Sequence, residues 1–262
     1  MADVPWVLTA TVFTHQGAVR PANEDTVGIG EWVAPGGMDE PVVITLPIDA
    51  PRMVLVADGM GGHSQGARAS RIAVEGLLEG AADVPDGERL ARHLRQANAA
   101  IYDIMQGEPA LAGMGTTVAG VLIAPPRCLA FNVGDSRVYV ERGGFLRQLS
   151  QDDTWPHSNG AFDPLREASG AVVTQAIGGQ PAFVDIEPHV VETELMHGQR
   201  FLICSDGLTN ELELDELEAG MAGADDKATI RAWFDAAMRA GARDNLSVVL
   251  VRIARTAATE SR

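Results

Sequence analysis

Four aspartates lie next to apolar runs whose composition predicts buried strands. Asp58 follows Val-Leu-Val-Ala, Asp135 follows Phe-Asn-Val-Gly, Asp206 follows Ile-Cys-Ser, and Asp244 precedes Asn-Leu-Ser-Val-Val. An ionised carboxylate beside an apolar strand is costly to desolvate unless a cation or a hydrogen-bond donor compensates it. A single Asp-Gly after a strand is most often only a turn. Four such sites in one chain are harder to explain as turns, and they indicate a cation site.

The ligand chemistry of this site predicts hard divalent cations. Carboxylates without histidine or cysteine partners suit Mg²⁺ or Mn²⁺, and glycines such as those after Asp58 let a backbone carbonyl approach as an extra ligand. Two such ions close together can hold a bridging water, lower its pKa and clamp a phosphoryl group for in-line attack. No nucleophilic side chain is then required.

The charge balance is strongly acidic. With 36 Asp and Glu against 20 Lys and Arg, the 262 residues carry a formal net charge of −16. A nucleic-acid binder needs clustered cations to displace phosphate counterions, so this balance argues against nucleic acid as a partner. It equally disfavours docking on an anionic membrane surface. A soluble acidic surface explains most exposed acids, and the strand-end aspartates are the candidates for cation binding.

Cysteine use and the N-terminal residues predict a cytoplasmic protein. Cys128 and Cys204 have no CxxC spacing, which excludes a disulfide scaffold or a zinc finger and fits a reducing compartment. The N-terminal residues show no positive region followed by an apolar stretch, so no signal peptide is expected. No apolar run approaches the ~20 residues of a membrane-spanning helix.

The apolar pattern predicts a mixture of strands and helices in one domain over 1–262, with a core at about 8–254. Strands are predicted at 7–14, 26–33, 52–57, 116–124, 127–133, 136–141, 145–149, 183–191, 200–205 and 246–253, and helices around 69–77, 90–105 and 227–240. Pro125-Pro126 and Gly143-Gly144 are typical of hairpin turns. Two packed antiparallel sheets with helices outside them fit this order, although periodicity alone does not exclude other α+β layouts. Residues 34–51 are predicted to form an expanded hairpin loop, 155–171 a mobile surface loop, and 255–262 a frayed end.

Six motifs occur along the chain in a fixed order. They are Arg20-Pro21-Ala22-Asn23-Glu24-Asp25, Val56-Ala57-Asp58-Gly59-Met60-Gly61-Gly62, Gly115-Thr116-Thr117, Asn132-Val133-Gly134-Asp135-Ser136-Arg137, Ser205-Asp206-Gly207 and Asp244-Asn245-Leu246-Ser247. Together they resemble the metal-dependent protein phosphatases of type 2C in their bacterial form. The resemblance runs from about residue 8 to 254. Any one tetrapeptide is weak evidence, whereas six in the family's order are strong.

The resemblance implies an α+β fold, a four-layer αββα sandwich of two antiparallel sheets flanked by helices. It also implies two core Mn²⁺ or Mg²⁺ ions and a possible third. By this resemblance, Asp58 would bridge both ions, the Gly59 carbonyl would bind one of them, and Asp206 and Asp244 would bind the first. Asp25 or Glu24 would hold metal-bound water, and Asp135 with Asp206 would bind a third ion. Arg20 would bind the substrate phosphate. The planar fork of an arginine suits that last role because it pairs with two phosphate oxygens at once.

Two departures from the family pattern stand out. Many members carry a histidine directly after the Asp-Gly, proposed as the general acid, but Met60 occupies that position and cannot donate a proton. His63 is not the matching position, and two roles stay open for it: a catalytic part, or a helix-entry residue next to Ser64, a candidate N-cap. Asp152-Asp153-Thr154 stands where the family usually has Asp-His-Ser, and the following flap segment is short. Substrate choice is therefore the feature that transfers least.

The leading hypothesis is a monomeric serine/threonine protein phosphatase that acts on phosphoproteins and counteracts a cytoplasmic Ser/Thr kinase. A pseudophosphatase would be expected to lack a metal carboxylate, yet Asp58, Asp206 and Asp244 are all present. A haloacid-dehalogenase type of hydrolase needs an Asp-x-Asp pair, which Asp58-Gly59-Met60 lacks. The glycines after Asp58 lack the Lys-Ser/Thr of a nucleotide-binding P-loop.

Overall fold

The computed structural model of the chain describes residues 5–34, 36–61, 64–155 and 172–255. The strands in these ranges are β1 (Trp6–His15), β2 (Thr26–Ile29), β3 (Trp32–Val33), β4 (Val42–Pro47), β5 (Arg52–Ala57), β6 (Gly59–Met60), β7 (Gly115–Thr116), β8 (Val118–Ala124), β9 (Arg127–Val133), β10 (Arg137–Arg142), β11 (Phe145–Gln148), β12 (Ile177–Gly178), β13 (His189–Glu194), β14 (Arg200–Cys204) and β15 (Leu246–Arg255). The α-helices are α1 (Ser64–Glu79), α2 (Gly87–Gly107), α3 (Asp206–Thr209), α4 (Leu214–Met221) and α5 (Asp226–Ala240). No helix in these ranges has the length and apolar character needed to cross a membrane.

The strands form two six-stranded sheets and one small sheet, and the pairing within each is antiparallel. Sheet 1 has the order β11-β10-β14-β15-β1-β4, and sheet 2 has the order β13-β9-β8-β5-β2-β3. The small sheet, β12-β7-β6, packs against α1 and α2. Hairpins at Pro125-Pro126 and Gly143-Gly144 join neighbouring strands as predicted.

Along the central strands, successive side chains point to opposite faces of the sheet and so contribute to two apolar layers. In β5, Val54 and Val56 face the core between the sheets, whereas Leu55 and Ala57 face α1 and α2. On the other side of the molecule, α4 and α5 pack Leu217 and other apolar side chains against sheet 1. Strand side chains alternate between faces, so each sheet can be covered on both sides. The predicted four-layer αββα sandwich is therefore confirmed.

Four sequence predictions need correction or fall outside the described residues. The predicted loop at 34–51 contains β4, an edge strand of sheet 1, and the predicted strand at 183–191 is wrong because the strand there is β13, His189–Glu194. Helix α4 was not predicted from the sequence. The loop predicted at 155–171 and the frayed end at 255–262 lie, apart from their first residues, outside the described ranges.

Candidate metal centre

Strand ends from both sheets meet at one pole of the sandwich. His15, the last residue of β1, pairs with Leu246 at the start of β15, and Cys204 at the end of β14 pairs with Arg137 at the start of β10. In sheet 2, β5 ends where β2 begins, and β9 ends where β8 begins. These registers bring together five aspartates, which we call the aspartate cluster: Asp25, Asp58, Asp135, Asp206 and Asp244.

Asp58 lies at the centre of this cluster. Its carboxyl group is hydrogen-bonded to that of Asp206. Burial raises the pKa of Asp58 well above its usual value, and the charges of neighbouring aspartates raise that pKa further. Its main chain is fixed by Thr116 Oγ1 and the Thr117 N–H, which donate to the Asp58 carbonyl over 2.8 and 2.9 Å.

Asp206 opens helix α3 directly after strand β14. Asn210 Nδ2 donates to Asp206 Oδ2 over 2.9 Å, and the other oxygen, Oδ1, is buried and finds no donor among the described residues. Burial raises the pKa of Asp206, and the charge of Asp244 adds to that increase. A cation at this position would stabilise the ionised form and supply a partner for Oδ1.

Asp25 lies deeper, with only 4% of its surface exposed. Ser205 and Ser247 donate their hydroxyl groups to Asp25 Oδ2 over 2.9 and 2.7 Å. Burial outweighs these two bonds and raises the pKa of Asp25 to about 7. Its Oδ1 is buried and has no donor in the described part of the chain. The geometry suits a carboxylate that accepts hydrogen bonds on one side and faces the cluster on the other.

Asp244 lies at the solvent-facing side of the cluster. Arg20 Nη2 donates to Asp244 Oδ2 over 2.5 Å, and the two side chains are 53% and 32% exposed. An ion pair this exposed contributes only about 0–1 kcal/mol. A phosphate or a cation can therefore replace either partner at little cost.

Asn245 ties the segment that carries Arg20, Glu24 and Asp25 to the start of β15. Its side-chain Oδ1 accepts from the Glu24 N–H over 2.8 Å, and its Nδ2 donates to the Gln16 and Ala22 carbonyls. Asn245 and the serines that bond Asp25 were not predicted as site residues, although all three lie inside the quoted motifs. Their role depends on partners far away in sequence, which no local pattern reveals.

Gly59 and Glu24 lie together at one side of the cluster. A Cβ on Gly59 would lie 2.3 Å from the Gly66 carbonyl oxygen and 2.5 Å from that of Glu24, so only glycine fits. A Cβ on Gly66 would in turn lie 2.4 Å from Glu24 Oε2 and 2.9 Å from the Gly59 carbonyl oxygen. The two glycines thus let a main-chain carbonyl and a carboxylate approach the same space.

Asp135 lies between β9 and β10, with 7% of its surface exposed. Burial raises the pKa of Asp135 to about 7, and the charge of Asp206 contributes. The loop is held by a 2.8 Å bond between Ser136 and Thr117 hydroxyls and by the Gly134 N–H, which donates to Asp153 Oδ2 over 2.9 Å. Asp153, which replaces the family's histidine, therefore has a structural role next to the cluster.

The residue directly after Asp58-Gly59 is Met60, which cannot donate a proton. Met60 is half-buried on β6, where it pairs with Gly115 of β7. His63 lies outside the described residues, as does the side chain of Ser64, so neither the histidine's position nor the predicted N-cap is described.

The aspartate cluster fits divalent cations by its donor chemistry. Within the described ranges no three Asp, Glu, His or Cys side chains are arranged as they stand to hold a metal ion. In this arrangement Arg20 occupies one oxygen of Asp244. The buried oxygens without a donor and the raised carboxyl pKa values both indicate a site in which positive charge would be stabilising.

The metal-free protein should lose stability as the pH rises. Asp25 and Asp135 have pKa values of about 7 in the folded protein, against 3.8 for an ordinary aspartate. Between about pH 4 and pH 7 the folded state binds protons that the unfolded chain has released, so the free energy of unfolding falls across that window and the contribution is lost above it. Thermal unfolding in EDTA between pH 5 and pH 8 measures the effect.

The control for this pH dependence is Asp135→Asn, which removes one titrating group and should flatten the curve in EDTA. Mn²⁺ should flatten the wild-type curve as well, because it stabilises the ionised carboxylates. A melting temperature in EDTA that rises across this window in the wild type would contradict the burial of these groups.

Comparison with known proteins matches this chain to protein phosphatases by sequence. A family model for protein phosphatase 2C matches residues 48–252. Serine/threonine protein phosphatase PstP of Mycobacterium tuberculosis is 30% identical over 262 residues, which cover 97% of this chain and 46% of that protein. Serine/threonine phosphatase stp of Listeria monocytogenes is 31% identical over 254 residues, covering 91% of this chain and 93% of that protein.

Solved structures agree with the sequence matches. The catalytic domain of PstP in complex with two manganese ions has a TM-score of 0.75 at 30% identity, covering 95% of this chain and 99% of that one. The chain spans less than half the length of the full PstP protein. The family match includes four members of the aspartate cluster, and Asp25 precedes it. On the sandwich fold, the ordered motifs and these matches, the chain belongs to the protein phosphatase 2C family.

Proposed function

We propose that this chain is a Mn²⁺- or Mg²⁺-dependent protein serine/threonine phosphatase that hydrolyses phosphoserine and phosphothreonine. The observation that carries this proposal is the convergence of the aspartate cluster from five separate segments of the chain at one pole. Two buried carboxylate oxygens there have no donor among the described residues, which supports a cationic partner. Family membership supports the same reaction class.

The residues divide into those that would hold cations and those that support them. Asp58 would hold both core ions and the Gly59 carbonyl one of them, with Asp206 and Asp244 on the first. Asp25 or Glu24 would act through bound water, and Asp135 with Asp206 would hold a third ion. When bound, such ions polarise a phosphoryl group and lower the pKa of a water nucleophile.

Arg20 is the proposed substrate-binding residue. Its guanidinium is half-exposed and borders Asp58, Glu24 and Asp244, whose charges all act on it. The planar fork can exchange Asp244 for two oxygens of a phosphate, which places the phosphorus over the cluster. Met60 cannot protonate the leaving serine or threonine oxygen, so that step falls to a group other than the residue after the Asp-Gly.

The cellular setting follows from the substrate chemistry. Phosphoserine and phosphothreonine in proteins are made by protein kinases, so the phosphatase would counteract a Ser/Thr kinase. We place it in the cytoplasm, acting as a monomer. The two cysteines support a reducing compartment, since both are free and buried, and burial raises the pKa of the Cys204 thiol to about 12.

Phosphopeptide hydrolysis with and without metal tests this function. EDTA should abolish release of phosphate from a phosphothreonine peptide, and added Mn²⁺ should restore it, because the cluster alone supplies no nucleophile. Among peptides that differ only in the phosphorylated residue, kcat/KM for phosphotyrosine should be at least about tenfold lower than for phosphoserine or phosphothreonine. Full activity in EDTA, or no hydrolysis with Mn²⁺, would contradict the proposal.

A further inference from the structure

A small cavity with a mixed lining opens beside the candidate metal centre. It has a volume of about 120 Å³. Its apolar lining residues are Met60, Val173, Ala176, Val184 and Ile186, and its polar ones are Thr174, Gln175, Gln180 and Asp185. That volume is about the space of four water molecules, which matches one aliphatic side chain rather than a larger ligand. The mechanism proposed above gives this cavity no part.

The small sheet links the cavity directly to Asp58. In this sheet Thr116 of β7 pairs with Gly59 of β6 on one side and with Ile177 of β12 on the other. Gly115 of β7 pairs in the same way with Met60 and Gly178. Thr116 also donates to the Asp58 carbonyl. The Cα atoms of Asp58 and Met60 lie at most about 7 Å apart, since two peptide units join them. A peptide whose phosphorylated residue is at the cluster therefore reaches the cavity within about three residues.

Glycine creates the open space in the cavity. Gly179 has a φ of +80°, and a Cβ there would lie 3.7 Å from Met60 Sδ and 3.6 Å from the Ala176 side chain. Those contacts are ordinary van der Waals distances, so an incoming methyl or methylene group would be in contact with apolar atoms on two sides.

One aliphatic lining residue of the cavity faces solvent. Val184 is 52% exposed, whereas its neighbour Phe183 packs edge-on against Tyr102. Gln175, which also lines the cavity, uses its amide group within the protein, where it bonds Asp153 and Glu187. The cavity therefore offers the apolar surface of Val184 and Met60 to a ligand, while the Gln175 amide is already bonded.

We infer that this cavity is a substrate subsite, which binds an aliphatic side chain flanking the phosphorylated serine or threonine. The inference rests on the proposed phosphatase function and adds a sequence preference to it. An acidic residue at the same position is disfavoured, because Asp185 lines the cavity and the chain is strongly acidic. The occupant is one aliphatic side chain of the substrate, which Met60, Val173 and Val184 would contact.

A phosphothreonine peptide panel tests the subsite. Leu, Ala and Asp are placed in turn at each position within three residues of the phosphothreonine, with Mn²⁺ present. At one position Leu should give a kcat/KM about tenfold above Ala, with Asp below both. Val184→Lys should remove that preference, because it replaces an aliphatic lining side chain with one that carries an ammonium group.

Val43→Lys is the matched control, since Val43 is 44% exposed on β4, the edge strand of sheet 1. It should keep the tenfold preference for Leu. Equal kcat/KM across the panel in the wild type, or an unchanged preference in Val184→Lys, overturns the subsite and leaves the phosphatase function standing. No hydrolysis of any phosphopeptide overturns both.

Discussion

Replacing Asp206 with asparagine should lower the Mn²⁺-dependent kcat/KM for a phosphothreonine peptide by about 10³-fold. Asp206 is hydrogen-bonded to Asp58 and acts electrostatically on Asp25 and Asp135, so it is the carboxylate shared most widely within the cluster. Loss of its charge removes a ligand from the proposed first ion and from the third. Several kcal/mol of transition-state stabilisation depend on such an ion, and each 1.36 kcal/mol corresponds to about tenfold in rate.

The same variant should fold at least as well as the wild type in EDTA. Asparagine keeps the size of the side chain and can still accept the bond from Asn210, while the repulsion among buried carboxylates decreases. Activity and metal-free stability are therefore expected to change in opposite directions, a trade-off typical of functional sites. Phosphate release, Mn²⁺ titration calorimetry and thermal unfolding in EDTA measure the three quantities.

Asp49→Asn serves as the control for Asp206→Asn. Asp49 pairs with Arg52 near Trp6, at the pole of the sandwich where β1 begins, far from the cluster. It should leave activity and Mn²⁺ affinity unchanged. Wild-type turnover in Asp206→Asn would show that the metal centre is assigned to the wrong residues.

The strands that position the cluster could be predicted because they are buried on both faces. In β5, five of six residues are buried, and the sequence there is a continuous apolar run ended by Asp58. The strand β4 was missed for the opposite reason, since four of its six residues are exposed and Pro41 and Pro47 bracket it. Proline is tolerated on an edge strand, where its nitrogen need not donate to a neighbour.

The wrong strand at 183–191 has a different physical cause. Phe183 and Val184 gave that segment its apolar character, but both are more than half exposed. Val184 lines the cavity beside Met60, and Phe183 packs edge-on against Tyr102, so neither joins a sheet. The apolar pattern indicated contacts of these side chains but not that they lie outside a strand.

Site membership could be predicted from motif order, whereas the contacts within the site could not. Motif order placed Asp58, Asp206 and Asp244 at one centre. The Arg20–Asp244 pair and the two serines that bond Asp25 join residues 180 or more positions apart. Such contacts depend on the register of β1, β14 and β15, which apolar periodicity does not determine.

Substituting Gly207 with alanine should cost stability and metal affinity together. A Cβ on Gly207 would lie 1.9 Å from the Asn245 carbonyl oxygen and 2.9 Å from the carbonyl carbon. Both are main-chain atoms at the start of β15, so α3 or β15 must move to admit one methyl group. Overpacking of this kind costs about 3 kcal/mol. The movement separates Asp206 from Asp244, so Mn²⁺ affinity and phosphatase activity should fall as well.

Gly76→Ala separates this effect from a general intolerance of glycine replacement. Gly76 lies on the exposed face of α1, and a Cβ there would meet no atom within 4 Å. Alanine at an open helical position should stabilise the protein by about 1 kcal/mol and leave Mn²⁺ binding unchanged. Urea unfolding with and without Mn²⁺ measures both variants. If Gly207→Ala unfolds at the wild-type urea concentration and binds Mn²⁺ normally, close packing between α3 and β15 does not set the spacing of Asp206 and Asp244.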